Sequence, residues 1–368
     1  MRLLSIVGSR IFYFVVSGLN IKYHVNSCDG LRGIAVLFVL LSHLSNTNLH
    51  LLPFLNFSGT GKYGVYLFFV LSAFLLTYQL IRKPQQALLS PLLWFKYFAR
   101  RFLRIFPLYT FVLIINFFFQ ESPFFSQLTT SALYQHLILQ RGDGIFWTIP
   151  VEFKYYFLLP VVVLLFSVVL NKKLWVFGII ILSVIALGTF ILWKPYDYPI
   201  NGIILGPYLP IFLLGSSAAI IHYRVEKLSL RHNWHTYLEL LALFICCCIF
   251  LLIPSVTTFI LQKPMESSIF HREYFLMGIL WSSFLISYLH GLGLIKKFLE
   301  YSLLRLLGRI SFSLYLWHMP ILLWVNSWAL NNGFKAIVVL FVSCLVSYIS
   351  YVLIEKPFIN MLQTQDKT

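Results

Sequence analysis

Few ionisable side chains interrupt the long apolar runs of this sequence, and two of them are spaced for joint chemistry. Arg32 and His43 lie eleven positions apart in DGLRGIAVLFVLLSHLS. Eleven residues make about three turns of α-helix, so both side chains share one face, with Cα atoms roughly 16 Å apart. A guanidinium is always charged, and its planar fork of N–H donors matches the oxygens of a phosphate. An imidazole takes a proton from a hydroxyl, or briefly carries an acyl group itself. If the run crosses a membrane, Arg32 sits near one surface and His43 past the middle of a hydrocarbon core about 30 Å thick. A long anionic donor, entering with its reactive end leading, suits that face. A snorkelling arginine and a histidine bonded to a neighbouring helix would leave the same pattern.

The remaining candidates are few. Glu152 follows FWTIP and lies some five residues, roughly 7 Å, into its apolar run. That depth is close to the one expected for His43, so Glu152 is expected to orient the imidazole, as a carboxylate does in other His–acid pairs. Lys154 is a rival partner for Glu152, but residues two apart point to different faces of a helix. Arg101 and Arg104, in RRFLRIFPLY, are three apart and share a face, where they could clamp a donor carrying several phosphates. From the residues alone, ordinary basic charge at a membrane surface is the simpler account of this pair. His318, in GRISFSLYLWHMP, is open to two readings, a substrate contact or a hydrogen-bonded core histidine. Ser72, in FFVLSAFLL, reads as a packing residue more than a nucleophile, because no G-x-S-x-G elbow surrounds it. His24, His222, His232, His235 and His271 fall in loops or at interfaces and read as solvated. No pair of histidines or carboxylates has the helical spacing of metal ligands, so no metal is expected.

The elements that must position these groups are membrane helices. Hydrophobic residues make up 59% of the 368-residue chain and charged residues 11%, against roughly 25% charged in a soluble domain. One soluble core could not cover so much apolar surface. Continuous runs of about 20 apolar residues match helical spans rather than the alternating segments of a β-barrel. The predicted class is an all-α polytopic membrane protein of about ten transmembrane helices. The spans read as 30–46, 63–81, 103–120, 147–170, 174–193, 200–221, 236–254, 272–290, 306–328 and 334–354. A charge at the centre of such a span costs at least about 2.5 kcal/mol, which makes the ionisable groups inside the spans functional candidates by default. With both termini cytoplasmic, 21 of the 28 lysines and arginines fall on the inner side and 6 on the outer, with Lys154 inside a span. Residues 1–25 read as an interfacial segment, 26–360 as one membrane domain and 361–368 as a short cytoplasmic tail. The net charge of +16 is spread between hydrophobic runs and does not indicate nucleic acid. Of the five cysteines, Cys246, Cys247 and Cys248 are consecutive within an apolar run, so no disulfide framework is expected.

Six segments follow one another in order: CDGLRGIAVLFVLLSHLS, YGVYLFFVLSAFLL, RRFLRIFPLY, FWTIPVEFKYYFLLP, GRISFSLYLWHMP and YVLIEKPF. With them the chain resembles the acyltransferase 3 family of integral membrane acyltransferases over roughly residues 26–360. Arg32 and His43 match that family's arginine–ten residues–histidine signature, and Arg101 and Arg104 its R-x-x-R element. The resemblance implies transfer of an acyl group, most often acetyl, from cytoplasmic acetyl-CoA to a hydroxyl of an extracytoplasmic glycan such as O-antigen or exopolysaccharide. Catalytic roles then fall to His43, Glu152 and Arg32, and donor binding to Arg32, Arg101 and Arg104, with His318 and Ser72 as further contacts. Acetyl-CoA would be a co-substrate, no cofactor would be tightly bound, and the setting would be a bacterial inner membrane. The implied partners are the acyl-CoA, the saccharide acceptor and the bilayer. Two positions depart from the family's pattern: Tyr66 stands where Asp is common, and Ala73 where Gly is common. Loss of that acid is expected to alter acceptor binding or helix packing near the outer face. A transporter or flippase for a lipid-linked glycan is the alternative, since buried charges and ten helices suit it too.

Overall fold

A computed structural model describes residues 25–51, 56–119 and 128–364. Apart from Val25, the expected interfacial segment lies outside the described residues, and so does the end of the expected tail. Every regular element among the described residues is helical. The main helices are α1 (Asn26–Asn46), α2 (Gly61–Ile81), α3 (Pro91–Phe118), α4 (Thr148–Leu164), α5 (Leu174–Leu187), α6 (Leu209–Val225), α7 (His232–Leu251), α8 (Tyr274–His290), α9 (Ser302–Arg309), α10 (Ser311–Asn326) and α11 (Asn332–Ser350). Eight spans, some extended by 3-10 or π turns, are long and apolar enough to cross a membrane. The pair α9–α10, bent by 75°, makes a ninth, and α8 is a shorter apolar helix of 17 residues. Each of the ten expected spans therefore meets an apolar helix.

The boundaries differ where charge or a break misleads a hydropathy reading. The third span, expected at 103–120, belongs to a helix that starts at Pro91, a residue suited to the first helical turn. Arg101 and Arg104 ride inside that helix because they face a cavity rather than lipid. The ninth, expected as one helix over 306–328, breaks at Ile310.

Burial separates an inner group from a periphery. In an apolar 18-residue stretch of the spans through α1, α2 and α6, 67%, 78% and 61% of the residues are buried, against 22% in those through α5, α7 and α11. The peripheral helices turn large apolar side chains outward, such as Phe190, Phe244 and Phe341, as lipid-facing helices do. Glu239 of α7 is buried because its carboxylate accepts the N–H groups of Gly293 and Ile295, at 3.0 and 2.8 Å, at the start of the short helix Leu294–Leu299.

Two glycines explain why α1 meets α9 so closely. A Cβ on Gly33 would stand 2.3 Å from the carbonyl oxygen of Leu304, and one on Gly308 1.7 Å from that of Asp29. The helices meet backbone to backbone, as small residues allow. This contact fixes the end of α1 that carries Asp29 and Arg32. Gly308→Ala should overpack it at a cost of about 1–3 kcal/mol, lowering the thermal midpoint of the detergent-purified protein by several degrees. An unchanged midpoint would mean that the two backbones have room to part.

Candidate functional site

Two cavities lie among the inner helices. The first, of about 200 Å³, is lined by Arg32 of α1, Ser72 of α2, Arg101 and Arg104 of α3, and Glu152 and Tyr156 of α4. The second, of about 410 Å³, is lined by His43, near the far end of α1, together with Lys62, Asn116, Trp147, Asn201 and His271. Arg32 and His43 share a helix but open into different cavities, as their separation along α1 dictates.

In the arginine cavity Arg32 faces the carboxylate of Asp29, one turn back along α1 at 3.8 Å. The Nε of Arg101 is buried without a hydrogen-bond partner. Leaving such a donor unmatched costs about 1–3 kcal/mol or more, and the oxygen of an anionic ligand would match it. Glu152 accepts hydrogen bonds from the Ser72 hydroxyl and, at 2.5 Å, from the Tyr156 hydroxyl one turn along α4. The expected pairing of Glu152 with His43 is thereby corrected. Helix rise indicated its depth, but α4 turns this carboxylate toward α2 and the arginine cavity. Ser72 is not a packing residue alone, since its hydroxyl anchors Glu152. Lys154 points elsewhere, donating to the carbonyl of Ile203 at 2.7 Å.

The partner of His43 is another histidine. His43 Nδ1 lies 2.7 Å from His318 Nε2, and the rings stack 14° apart in plane with centroids 4.9 Å apart. His318 Nδ1 is 2.7 Å from the carbonyl oxygen of Tyr315 and 3.2 Å from that of Leu314. Carbonyls only accept, so His318 Nδ1 carries the proton. For neutral rings His318 Nε2 is then the acceptor and His43 Nδ1 the donor, which leaves the lone pair on His43 Nε2. The proton positions follow from this network of partners. His318 is buried and lines neither cavity, so it is the hydrogen-bonded core histidine of the two readings, not a substrate contact.

Around His43 a few polar and aromatic side chains interrupt a mostly apolar wall. Lys62 Nζ donates to Asn201 Oδ1 and stands 4.1 Å over the Trp147 ring, a cation–π contact. His271 Nε2 donates to the carbonyl of Gly59 at 2.8 Å, and burial lowers the affinity of this loop imidazole for a proton. Tyr66, at the position of departure, is fully buried and donates to the carbonyl of His271, a residue that lines this cavity. Ala73 packs where α2 meets Gly215 of α6.

Three histidines read as solvated are not. His271 lines the cavity, His222 is buried with its Nδ1 2.8 Å from His290 Nε2, and His235 Nδ1 lies 2.7 Å from the carbonyl of His290. Lys62 and Tyr156 were not singled out from the sequence. Tyr156 carried a signal, being four residues from Glu152 and hence on its face. Lys62, one residue into an apolar run, resembled an ordinary boundary charge.

The sequence profile of the acyltransferase 3 family, described as an acyltransferase domain, matches residues 25–355. The chain belongs to the acyltransferase 3 family. Among similar proteins is the one named "Putative acetyltransferase ORF330" in Acidianus two-tailed virus, 28% identical over 297 residues, which cover 78% of this chain and 81% of that protein. The O-acetyltransferase OatA of Staphylococcus aureus (strain NCTC 8325 / PS 47) is 24% identical over 366 residues, covering 89% of this chain. The chain spans 56% of the length of OatA. No solved structure matches it.

In this membrane acyltransferase, loss of the His318 ring would free His43 to turn and to place its proton on either nitrogen. His318→Ala should slow acyl transfer by on the order of 10²-fold or more. The double variant with His43→Ala should be no slower than His43→Ala alone, because residues acting as a unit are not additive. Rates of the three purified variants check this, and an additive loss would show that the two rings act separately.

Proposed function

We propose that the protein is an O-acetyltransferase that moves an acetyl group from acetyl-CoA to a hydroxyl of a glycan across a bacterial-type inner membrane. The observation that carries this reading is the hydrogen-bond chain from the Tyr315 carbonyl through His318 to His43, which leaves His43 Nε2 with its lone pair beside a cavity that Lys62, Asn116 and Asn201 also line. The arginine cavity would face the cytoplasm, in keeping with the excess of basic residues on that side. Arg32, Arg101 and Arg104 would hold the CoA phosphates there, the unmatched Nε of Arg101 among the donors. The histidine cavity would take the acceptor. Its mixture of Trp147, Asn116 and Asn201 offers a sugar ring both an apolar surface and hydrogen-bonding amides. The names of the viral relative and of OatA point to acetyl as the transferred group.

In the proposed reaction His43 Nε2 takes the proton of the acceptor hydroxyl as its oxygen attacks the thioester carbonyl. The charge that develops on the imidazole is held by His318 Nε2, which accepts from His43 Nδ1. The tetrahedral intermediate collapses with loss of the CoA thiolate, and the proton on His43 Nε2 passes to that sulfur. Glu152, held by Ser72 and Tyr156, sets the polarity of the donor cavity rather than the orientation of His43.

His43→Ala should leave only a residual rate of acetyl transfer while donor binding persists. Arg101→Ala should raise the dissociation constant for acetyl-CoA at least about tenfold, the loss of one charged hydrogen bond. Calorimetry on purified protein and mass spectrometry of envelope glycans, with and without the gene, check both. Full transfer by the His43→Ala protein would overturn the role of the histidine. Glycan movement without any acyl donor would point to a transporter instead.

A further inference from the structure

The two cavities have two lining residues in common, Val65 and Tyr315. We propose that Tyr315 is a positioning residue that partitions the arginine cavity from the histidine cavity and yields when the acyl group passes. This rests on the proposed function, in which the phosphates of the donor and the base lie in different cavities. Roughly 16 Å of α1 separate the Cα atoms of Arg32 and His43, so the thioester must travel past this boundary to react.

Tyr315 is held in place at several points. Its hydroxyl donates to the carbonyl of Ile145 at 2.6 Å and accepts from Thr148 Oγ1 at 3.3 Å. Ile145 lines the histidine cavity and Thr148 the arginine cavity, so the phenol is pinned where the two meet. Its own carbonyl accepts the Nδ1 proton of His318, with the tyrosine and histidine ring centroids 5.9 Å apart. One residue thus closes the passage and anchors the partner of the base. Val65, buried on α2, is β-branched and stiff about χ1, which leaves the tyrosine as the movable half of the partition. Closed, it keeps water in the acceptor cavity from the thioester, and an active site that excludes water suppresses hydrolysis of a reactive donor.

The test uses a cysteine reporter in a background with the five native cysteines replaced by alanine. Gln79→Cys places a thiol on the lining of the arginine cavity. A charged, membrane-impermeant methanethiosulfonate is applied to vesicles from the side of the histidine cavity. With Tyr315 present, labelling from that side should be slow. Tyr315→Ala should speed it at least about tenfold, and Tyr315→Phe, which loses only the hydroxyl tether, by less. An unchanged labelling rate in the Tyr315→Ala protein overturns the partition. A second readout is the ratio of free to transferred acetate from radiolabelled acetyl-CoA in membrane vesicles. Tyr315→Ala should raise that ratio at least about fivefold, whereas a merely structural loss would lower both products together. If the unaltered protein consumes no acetyl-CoA, the proposed function fails, while the labelling rates still decide whether Tyr315 divides the two cavities.

Discussion

A 2.7 Å hydrogen bond between His43 Nδ1 and His318 Nε2 joins α1 to α10 across 275 positions of sequence. Much of the surrounding architecture can be understood as holding that bond. α9 lies backbone to backbone on α1 through Gly33 and Gly308, and the chain then turns by 75° into α10. The bend lets one segment touch α1 at its arginine end and return to it at its histidine end. A straight ninth helix could not do both. The carbonyl of Tyr315 completes the arrangement by fixing the proton of His318 on Nδ1. A membrane interior makes such a chain effective, because there is little water to compete for its donors and acceptors.

The second organising feature is the separation of charge along α1. Arg32, Arg101 and Arg104 gather in one cavity with Asp29 and Glu152, while His43 and Lys62 face the other. Three of these charges have evident partners. Arg32 has Asp29 one turn away, Glu152 has two hydroxyls, and Lys62 has Asn201 and the face of Trp147. Among the arginines that line the first cavity, Arg101 has a buried, unmatched Nε, and it lies where a phosphate-bearing donor would sit. Keeping the two groups of charges apart would allow the proposed donor and acceptor to approach from opposite sides.

Some of this was legible in the residues. The apolar runs located the helices, and the eleven-residue interval placed Arg32 and His43 at different depths on one helix. The pairing of His43 was not legible, because two histidines 275 positions apart share no local pattern. Glu152 shows the limit of helix rise as a guide. Rise gives depth, but the direction in which a side chain points depends on how its helix is turned in the bundle. The same limit hid Tyr315, an aromatic among many in a membrane helix until both cavities are seen to border it. The break at Ile310 was hidden because α9 and α10 read as one apolar run.

The most direct test of the account is a cryo-EM structure of the intact protein with a non-hydrolysable thioether analogue of acetyl-CoA. The account predicts phosphate density against Arg32, Arg101 and Arg104, with the arm of the analogue directed along α1 toward Tyr315 and His43. Phosphate density in the cavity of His43 and Lys62, or an arm directed away from Tyr315, would contradict it.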